Sequence, residues 1–432
     1  MTTFIYILLA IVVLLVLITV HEFGHYCAGK IFGFKINEFS IGFGPAIYKK
    51  TKKDGEVFSV RALPLGGFCA FEGEDEDGKG EDGKPNPEAF NNKPAWKRLI
   101  VLLAGVTFNF LFGILTAAIY LFATGYNIPK ISASVNSDEI TGSGFKPNDV
   151  IVAVDGKTIE AYRSFNDLVA DYGKDEEFVV TVNRNGEIIN IKSAKRGYKS
   201  FYYVYDSSKF AGKIFIENQE HQIVPLAMSE FLSGVMANSE SENPDEALKA
   251  YLASIYKNEN GTETYENDAE TLVSENYFVK VNAGVSLGIS YTFEQGKYNF
   301  WESLGKAWPF CFYLCGLILS AFGGLFTGAT ALKDMGGTVT AVSQIAEISQ
   351  MGIGYFLLLL PLLSMNLALF NVFPIPSLDG ARAVFVLIEL VFRKPVNRKV
   401  EGWIHTIGLF LLLGMVVFFD IYHFAVAAKL LI

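Results

Sequence analysis

Cysteine is scarce in this chain of 432 residues, and basic residues are missing ahead of its first apolar run. The four cysteines all lie in or beside apolar stretches, so the sequence predicts no disulfide framework. No basic stripe interleaved with aromatic residues is present, and the net charge of -9 is spread over loops, which argues against nucleic acid as a partner. No small-residue cleavage site follows the first run, so we expect it to remain as an uncleaved membrane anchor.

Hydrophobic residues make up 51% of the chain, and many of them lie in long apolar runs. Each run is near the length that a membrane crossing requires, so we predict a polytopic α-helical membrane protein. The runs lie at about 4–20, 99–123, 308–328, 353–373 and 403–419, and a long polar segment, 126–300, separates the second from the third. We divide the chain into an N-terminal membrane region (1–125), a PDZ-like domain (126–198), an extracytoplasmic extension (199–300) and a C-terminal membrane region (301–432).

The first apolar run leads directly into His21-Glu22-Phe23-Gly24-His25. Its 17 residues reach only about 26 Å at about 1.5 Å each, so the helix should continue through the histidines. Positions i and i+4 share a helix face, so His21 and His25 can bind one Zn2+ while Glu22 projects beside them. The same motif also occurs by chance in ordinary helices, but ionisable residues at membrane depth are costly and favour a shared metal. Cys27 lies nearby and is interpreted as a buried filler.

A second polar site interrupts the apolar sequence near the C-terminal end. Pro374, Pro376 and Gly380 break the helical pattern, and Asp379 lies inside this break as the best candidate for a third zinc ligand, with Asn371 upstream as a polar neighbour. The competing carboxylates are Glu389, Asp334, Glu347 and Asp420. The remaining histidines are isolated and are interpreted as structural: His221, His405 and His423.

Two segments of the chain have strand character. Residues 34–50 and 55–75 favour a hairpin or small sheet whose apolar tip, ALPLGGFCAF, dips toward the membrane, with an ordinary cytosolic hairpin as the alternative. Residues 131–196, with a helix at 164–172, have the strand and helix order of a small PDZ-like β domain, which would bind extended peptides.

Basic clusters near the apolar runs predict the orientation of the chain. Lys and Arg collect on cytosolic loops, which places the histidines at the cytosolic side and the 126–300 segment outside. Asp379 must reach the same side of the membrane as the histidines. A single crossing at 308–328 would invert the next helix and place Asp379 on the opposite side. We therefore expect an interfacial or re-entrant helix there, eased by Gly323, Gly324 and Gly328, with Lys333 accessible from outside.

With these motifs assembled, the chain resembles the site-2 protease family of intramembrane zinc metalloproteases, in its bacterial PDZ-containing branch. The motifs HEFGH, EFSIGFGP, LPLGGF, AGVTFN, GFKPNDVIVAVDGKTI and NVFPIPSLDG occur in the family's order. The resemblance implies zinc on His21, His25 and Asp379, Glu22 as general base, and Asn371 near the scissile bond. It further implies that the LPLGGF region, with Gly66, Gly67 and Phe68, pairs with an unwound substrate.

The resemblance also implies a partner class, namely single-pass membrane proteins such as anti-sigma factors already trimmed by another protease, or remnant signal peptides. The location it implies is the bacterial cytoplasmic membrane. One alternative is a non-proteolytic receptor with a structural zinc and a peptide-binding PDZ domain, against which Glu22 argues because a structural site needs no such carboxylate. Another is a transporter with a site between broken helices, but no inverted repeat is evident.

Overall fold

Two compact units make up the chain: Met1–Tyr126 with Lys297–Ile432, and Asn127–Gly296. The computed structural model describes residues 2–74, 86–134, 144–173, 176–194, 196–205, 214–217, 223–226, 271–274, 277–286, 289–327 and 336–427. In chain order its α-helices are α1 (Thr2–Ile31), α2 (Ala95–Thr124), α3 (Phe165–Ala170), α4 (Phe300–Thr327), α5 (Thr338–Gln350), α6 (Ile353–Val372), α7 (Asp379–Phe392) and α8 (Arg398–Ala427).

The strands are β1 (Ile36–Thr51), β2 (Val57–Phe71), β3 (Tyr126–Ser134), β4 (Val150–Val154), β5 (Lys157–Thr158), β6 (Glu177–Arg184), β7 (Glu187–Ala194), β8 (Arg196–Tyr205), β9 (Ile214–Glu217), β10 (Ile223–Leu226), β11 (Thr271–Ser274), β12 (Tyr277–Ser286) and β13 (Ile289–Gly296). Only β1 and β2 belong wholly to the first unit.

Five helices of the described residues are long and apolar enough to cross a membrane: α1, α2, α4, α6 and α8. Each contains one of the apolar runs in the sequence, which confirms the prediction of a polytopic helical membrane protein. As predicted, α1 continues through the histidines, for a total of 30 residues. The helical pattern breaks after Val372 and resumes at Asp379, where prolines and a glycine predicted the interruption.

Helix α2 packs against four other helices of the described first unit, namely α1, α4, α6 and α7. Gly24 of α1 meets it so closely that a Cβ atom there would lie 2.9 Å from Cα of Gly105. A Cβ atom on Gly113 would lie 3.5 Å from Sδ of Met365 in α6. The buried guanidinium of Arg98 is paired with Glu389 of α7. Gly24 therefore lets the backbones of α1 and α2 approach, Gly113 makes room for the Met365 side chain, and one buried ion pair joins α2 to the helix that starts at Asp379.

The strands β1 and β2 form the small sheet that the sequence predicted. Residues 38–41 pair on one side with residues 67–70 and on the other with residues 57–60. Gly42 and Gly44 have φ of 89° and 83°, which glycine adopts without steric cost and which lets β1 bend between its two halves. Phe71 packs with Phe34, Phe90 and Val101 in an apolar cluster, so the sheet is held against α1 and α2. Its insertion toward a membrane stays a prediction.

Helix α4 spans the helical bundle from end to end. Tyr298, just before it, stacks on Tyr126 at the end of α2, with ring centroids 4.6 Å apart. Near its other end, Phe322 packs on Phe370 and Phe373, both with ring centroids at 5.8 Å, close to the break before Asp379. The expected bend at Gly323 and Gly324 is wrong, because both glycines lie inside the continuous helix.

After α4 the chain must return to the opposite end of the bundle before α6 begins, and α5 lies on this return path. Ile345 and Ala346 of α5 pack on Ala10 of α1 and Leu359 of α6, and α6 then starts beside the end of α2, where Gly354 lies against Thr124. The chain therefore comes back to the end of the bundle from which α4 started. Gly328 and Lys333 lie outside the described residues, so the predicted accessibility of Lys333 stays a prediction.

The second unit is built around a sheet with the order β13-β3-β4-β6-β7, with β5 beside β4. Val180 and Val182 of β6 and Ile151 of β4 are fully buried, as alternation along strands requires. The predicted helix at 164–172 is present as α3, where Ser164 and Asp167 form a capping box. Strand β13 brings residues from beyond the predicted 126–198 domain into its sheet, and Tyr291 of β13 packs edge-on against Phe165. The PDZ assignment stays a prediction.

The 199–300 extension contributes smaller sheets to this second unit. Strands β11, β12 and β8 form one sheet, and β9 pairs with β10. His221 lies outside the described residues.

Candidate metal centre

His21, His25 and Asp379 come together at one point, although 354 residues separate His25 from the aspartate. Oδ2 of Asp379 lies 2.8 Å from Nε2 of His21 and 3.1 Å from Nε2 of His25, and the two Nε2 atoms are 3.2 Å apart. Both histidines are buried. The sequence placed the histidines on one helix face, and the structure adds the carboxylate of Asp379 to them.

The donor set of this cluster fits a zinc ion. Two imidazole nitrogens and one carboxylate oxygen are the three protein ligands typical of a catalytic zinc site, and these three atoms all lie within 4.8 Å of one another. Gly105 supplies the required room, because a Cβ atom there would lie 2.8 Å from Cε1 of both histidines. A glycine at this position of α2 therefore leaves open the volume in front of the rings.

Each histidine is also held through its second ring nitrogen. Nδ1 of His25 donates to the backbone carbonyl of Val101 at 2.8 Å, which leaves the lone pair of its Nε2 directed at Asp379. Nδ1 of His21 lies 3.2 Å from the side-chain amide of Asn109. Gly105 and Asn109 lie one helical turn apart on α2, and the structure places both beside the histidines.

Asp379 is presented by the turn between α6 and α7. It is the first residue of α7, where a carboxylate is favoured by the helix dipole. Ser377 has φ of 82°, and its backbone N–H donates to Nδ1 of His405 at 2.9 Å. His405, interpreted from the sequence as structural, therefore holds the turn that carries the candidate ligand Asp379. A Cβ atom on Gly380 would lie 2.6 Å from the carbonyl carbon of Val372, so the tight turn requires glycine.

The competing carboxylates are engaged elsewhere or lie apart from the cluster. Glu389 pairs with Arg98. Asp420 of α8 accepts from the backbone N–H groups of Val339 and Thr340 at 3.2 and 3.1 Å, which satisfies the start of α5. Glu347 is exposed on α5, and Asp334 lies outside the described residues.

Glu22 is half-buried one residue after His21, and its carboxylate accepts a hydrogen bond from the backbone of Cys69 in β2. A Cβ atom on Gly67 would lie 3.8 Å from Cγ of Glu22. The candidate base is therefore in contact with β2. A carboxylate next to two histidine ligands is the arrangement in which a metalloprotease activates water.

The other residues that the resemblance singled out lie at the same end of the first unit. Gly66 has φ of 128°, which disfavours any other residue, and the ring of Phe68 stacks on Phe43 at 6.1 Å. Asn371 is buried near the C-terminal end of α6, just ahead of the turn to Asp379. Their roles toward a substrate stay predictions. Cys27 is half-buried and does not belong to the three-residue metal cluster of the described chain.

Comparison with known proteins assigns this architecture to a family. The model of peptidase family M50 matches residues 9–415. A regulator of sigma E protease from Haemophilus influenzae is 30% identical over 437 residues, which cover 94% of this chain and 96% of the relative. A putative zinc metalloprotease from Fusobacterium nucleatum is 29% identical over 96% of this chain and 97% of its own length. The regulator of sigma-E protease RseP from Escherichia coli is 26% identical over 95% and 97%.

The nearly full-length family match, the order of the motifs and the apolar helices all indicate a membrane-embedded peptidase. The chain belongs to peptidase family M50 and is a multi-pass membrane metalloprotease of the site-2 type.

Proposed function

We propose that this protein hydrolyses peptide bonds within or near the transmembrane segments of single-pass membrane proteins, at a zinc centre formed by His21, His25 and Asp379. The observation that carries the proposal is the convergence of these three ligand atoms with Glu22 beside them. Relatives from Pasteurella multocida and Vibrio cholerae are both named putative zinc metalloproteases, which supports zinc as the metal.

A zinc ion in this site would supply a bound water of lowered pKa and would polarise the scissile carbonyl. The residues of the chain do the rest. His25 and His21 present their Nε2 atoms, and Asp379 offers Oδ2 from the start of α7. Glu22 is the general base, which takes the proton of the attacking water and returns it to the leaving amine.

The sheet beside Glu22 explains how a transmembrane helix could be cut. A helical substrate hides its carbonyls in internal hydrogen bonds, so the segment must first become extended. Residues 67–70 pair with residues 38–41 on one side and lie next to Glu22, so an added strand there would bring its backbone to the base. We assign Gly66, Gly67 and Phe68 to this pairing and Asn371 to the reacting carbonyl.

The biological role follows from the relatives. Several of them are named regulator of sigma E protease, which supports anti-sigma factors as a substrate class. We further propose that another protease first trims the substrate outside the membrane, that the protein lies in the bacterial cytoplasmic membrane, and that the metal faces the cytosolic side with the PDZ-like unit outside.

The test uses purified full-length protein in lipid vesicles with a fluorescently labelled single-pass substrate. Glu22→Gln should keep the metal and lower the cleavage rate by roughly 100-fold or more, because it removes the base without removing a ligand. Glu347→Gln, on exposed α5, is the matched control and should cleave like the wild type. Cleavage by the Glu22 variant at the wild-type rate would contradict the proposal, and a wild type that binds but never cleaves would favour a receptor.

A further inference from the structure

Asn109 is a fully buried amide that touches the metal centre without belonging to the ligand cluster. It lies one helical turn after Gly105 on α2, and its Nδ2 atom is 3.2 Å from Nδ1 of His21. Its other polar atom, Oδ1, is buried and has no hydrogen-bond partner among the described residues. A buried carbonyl oxygen is ordinarily satisfied, so this unused acceptor beside a candidate ligand needs an explanation.

The explanation lies in the tautomer of His21. Its Nε2 faces Asp379 and His25, so metal binding requires a lone pair on that atom. A neutral imidazole then carries its proton on Nδ1, which must donate to an acceptor. His25 meets the same requirement through the carbonyl of Val101. For His21, the amide group of Asn109 is the neighbour at Nδ1 within the described structure, but the atom that faces the ring there is a donor.

Rotation of this amide by 180° exchanges its two ends with almost no change of shape. The oxygen that lacks a partner would then face Nδ1 of His21, and the N–H of the imidazole would gain its acceptor. His21 requires a hydrogen-bond acceptor at Nδ1, and Oδ1 of Asn109 is an acceptor without a partner in the described structure. One rotation of the amide would bring the two atoms together. This inference rests on the proposed ligand set, since without a metal His21 needs no fixed tautomer.

We propose that Asn109 is a positioning residue of the metal centre. In the metal-loaded protein its amide oxygen accepts the Nδ1–H of His21, which holds the ring in the tautomer and orientation that bind metal through Nε2. Outer partners of this kind typically change metal affinity by about 10-fold to 100-fold when they are removed.

A packing role alone can be separated from this one. The backbone carbonyl of Asn109 accepts a hydrogen bond from Oγ of Ser364 at 2.7 Å, and this contact joins α2 to α6 independently of the amide side chain. Ser364 is fully buried, so Ser364→Ala disturbs the same packing without touching the acceptor.

The experiment compares full-length wild type with Asn109→Asp, Asn109→Leu, Asn109→Ala and Ser364→Ala. Zinc affinity is measured by chelator competition, and thermal unfolding of the metal-free forms is recorded beside it. Asn109→Asp retains an acceptor and should bind zinc at least as tightly as the wild type. Asn109→Leu and Asn109→Ala should each bind zinc about 10-fold to 100-fold more weakly. Ser364→Ala should change unfolding but not zinc affinity.

Two results would overturn the inference: wild-type zinc affinity in the Leu and Ala variants, or an Asp variant as weak as they are. The Ala variant decides the matter if the Leu variant does not fold. Asp379→Asn serves as the reference for a lost ligand. A wild type that binds no zinc would overturn the proposed function and this inference together, whereas tight wild-type binding with unaffected Leu and Ala variants would overturn this inference alone.

Discussion

Helices α2 and α8 have the same length of 30 residues and similar apolar character, yet they contribute differently to the molecule. A third of the most apolar part of α2 is buried, 33%, against 11% for α8. The polar atoms of α2 face its neighbours: Arg98 is paired with α7, and Asn109 touches His21. Within the described structure, helix α8 reaches only the turn before Asp379, through the bond of His405 to Ser377 and the packing of Gly408 against Pro376.

The comparison shows that hydropathy finds a membrane helix but not its role. In α2, Gly105 leaves room for the rings of the candidate ligands His21 and His25, and Asn109 contacts His21. In α8, Gly402 and Gly414 have open space around them. Changes on α2 beside the histidines should therefore damage the site severely, whereas changes on α8 should have a small effect or none.

The largest effect is expected at Gly105. Gly105→Ala would place a Cβ atom 2.8 Å from both histidine rings, so we expect metal binding and cleavage to be abolished. Gly414→Ala on α8 is the matched control, because no described atom lies within 4 Å of the position of its Cβ. Metal content and cleavage rate are the measurements. A loaded, active Gly105 variant would mean that the rings lie elsewhere.

The ion pair between Arg98 and Glu389 should come next. The Arg98 side chain is 1% exposed, so Glu389→Gln leaves a buried guanidinium without its carboxylate and should cost about 3–5 kcal/mol of stability. On α8 the pair of Arg398 with Glu401 is more exposed, and Glu401→Gln should cost about 1 kcal/mol or less. Chemical denaturation in detergent measures both. Equal costs would remove the distinction between the two helices.

The second unit offers a pH test away from the membrane. Burial alone would raise the pKa of Asp149, but hydrogen bonds from Arg184, both 2.7 Å, and from the Lys146 backbone lower it. This stabilisation, about 1.5–3 kcal/mol for charged hydrogen bonds, is present above the ordinary Asp pKa of about 3.9. It is lost as the pH falls through the lowered pKa.

We therefore expect Asp149→Asn to be less stable than the wild type at neutral pH, with a difference that shrinks below about pH 4. The measurement is the denaturation midpoint of the full chain, followed by a probe in the 144–194 region. A difference that is the same at every pH would show that the ion pair with Arg184 contributes nothing.

The smallest effect is expected at His405. His405→Phe keeps a ring against Phe385 but removes the acceptor for the Ser377 N–H, which should cost about 1 kcal/mol. Because this bond holds the turn that carries Asp379, a modest loss of metal affinity should accompany the loss of stability. Unchanged metal affinity would show that the turn is held by its own backbone.

Local sequence features were sufficient for much of this structure. Apolar length predicted the membrane helices, the i, i+4 spacing predicted the face shared by His21 and His25, and the prolines predicted the break at Asp379. These signals are short-range, since each depends on residues within a turn or two of one another.

The missing parts depend on contacts between distant segments. No short-range sequence pattern links Asn109 to His21 or His405 to Ser377. Likewise, no local pattern in residues 289–296 predicts that they pair with residues 126–134 in one sheet. The bend expected in α4 was wrong for a related reason: glycines permit a bend but do not require one when the helix packs along its length, as α4 does from Phe310 to Phe322. Its interfacial or re-entrant path stays a prediction.

The central claim is that Asp379 completes the metal site and that Glu22 acts beside it without binding metal. Zinc content per chain, measured by elemental analysis on purified protein, tests this most directly. Wild type, Glu22→Gln and Asp420→Asn should each hold one zinc, with Asp420→Asn as the control carboxylate at another helix start. Asp379→Asn should hold little or none, and a full zinc complement in that variant would contradict the account.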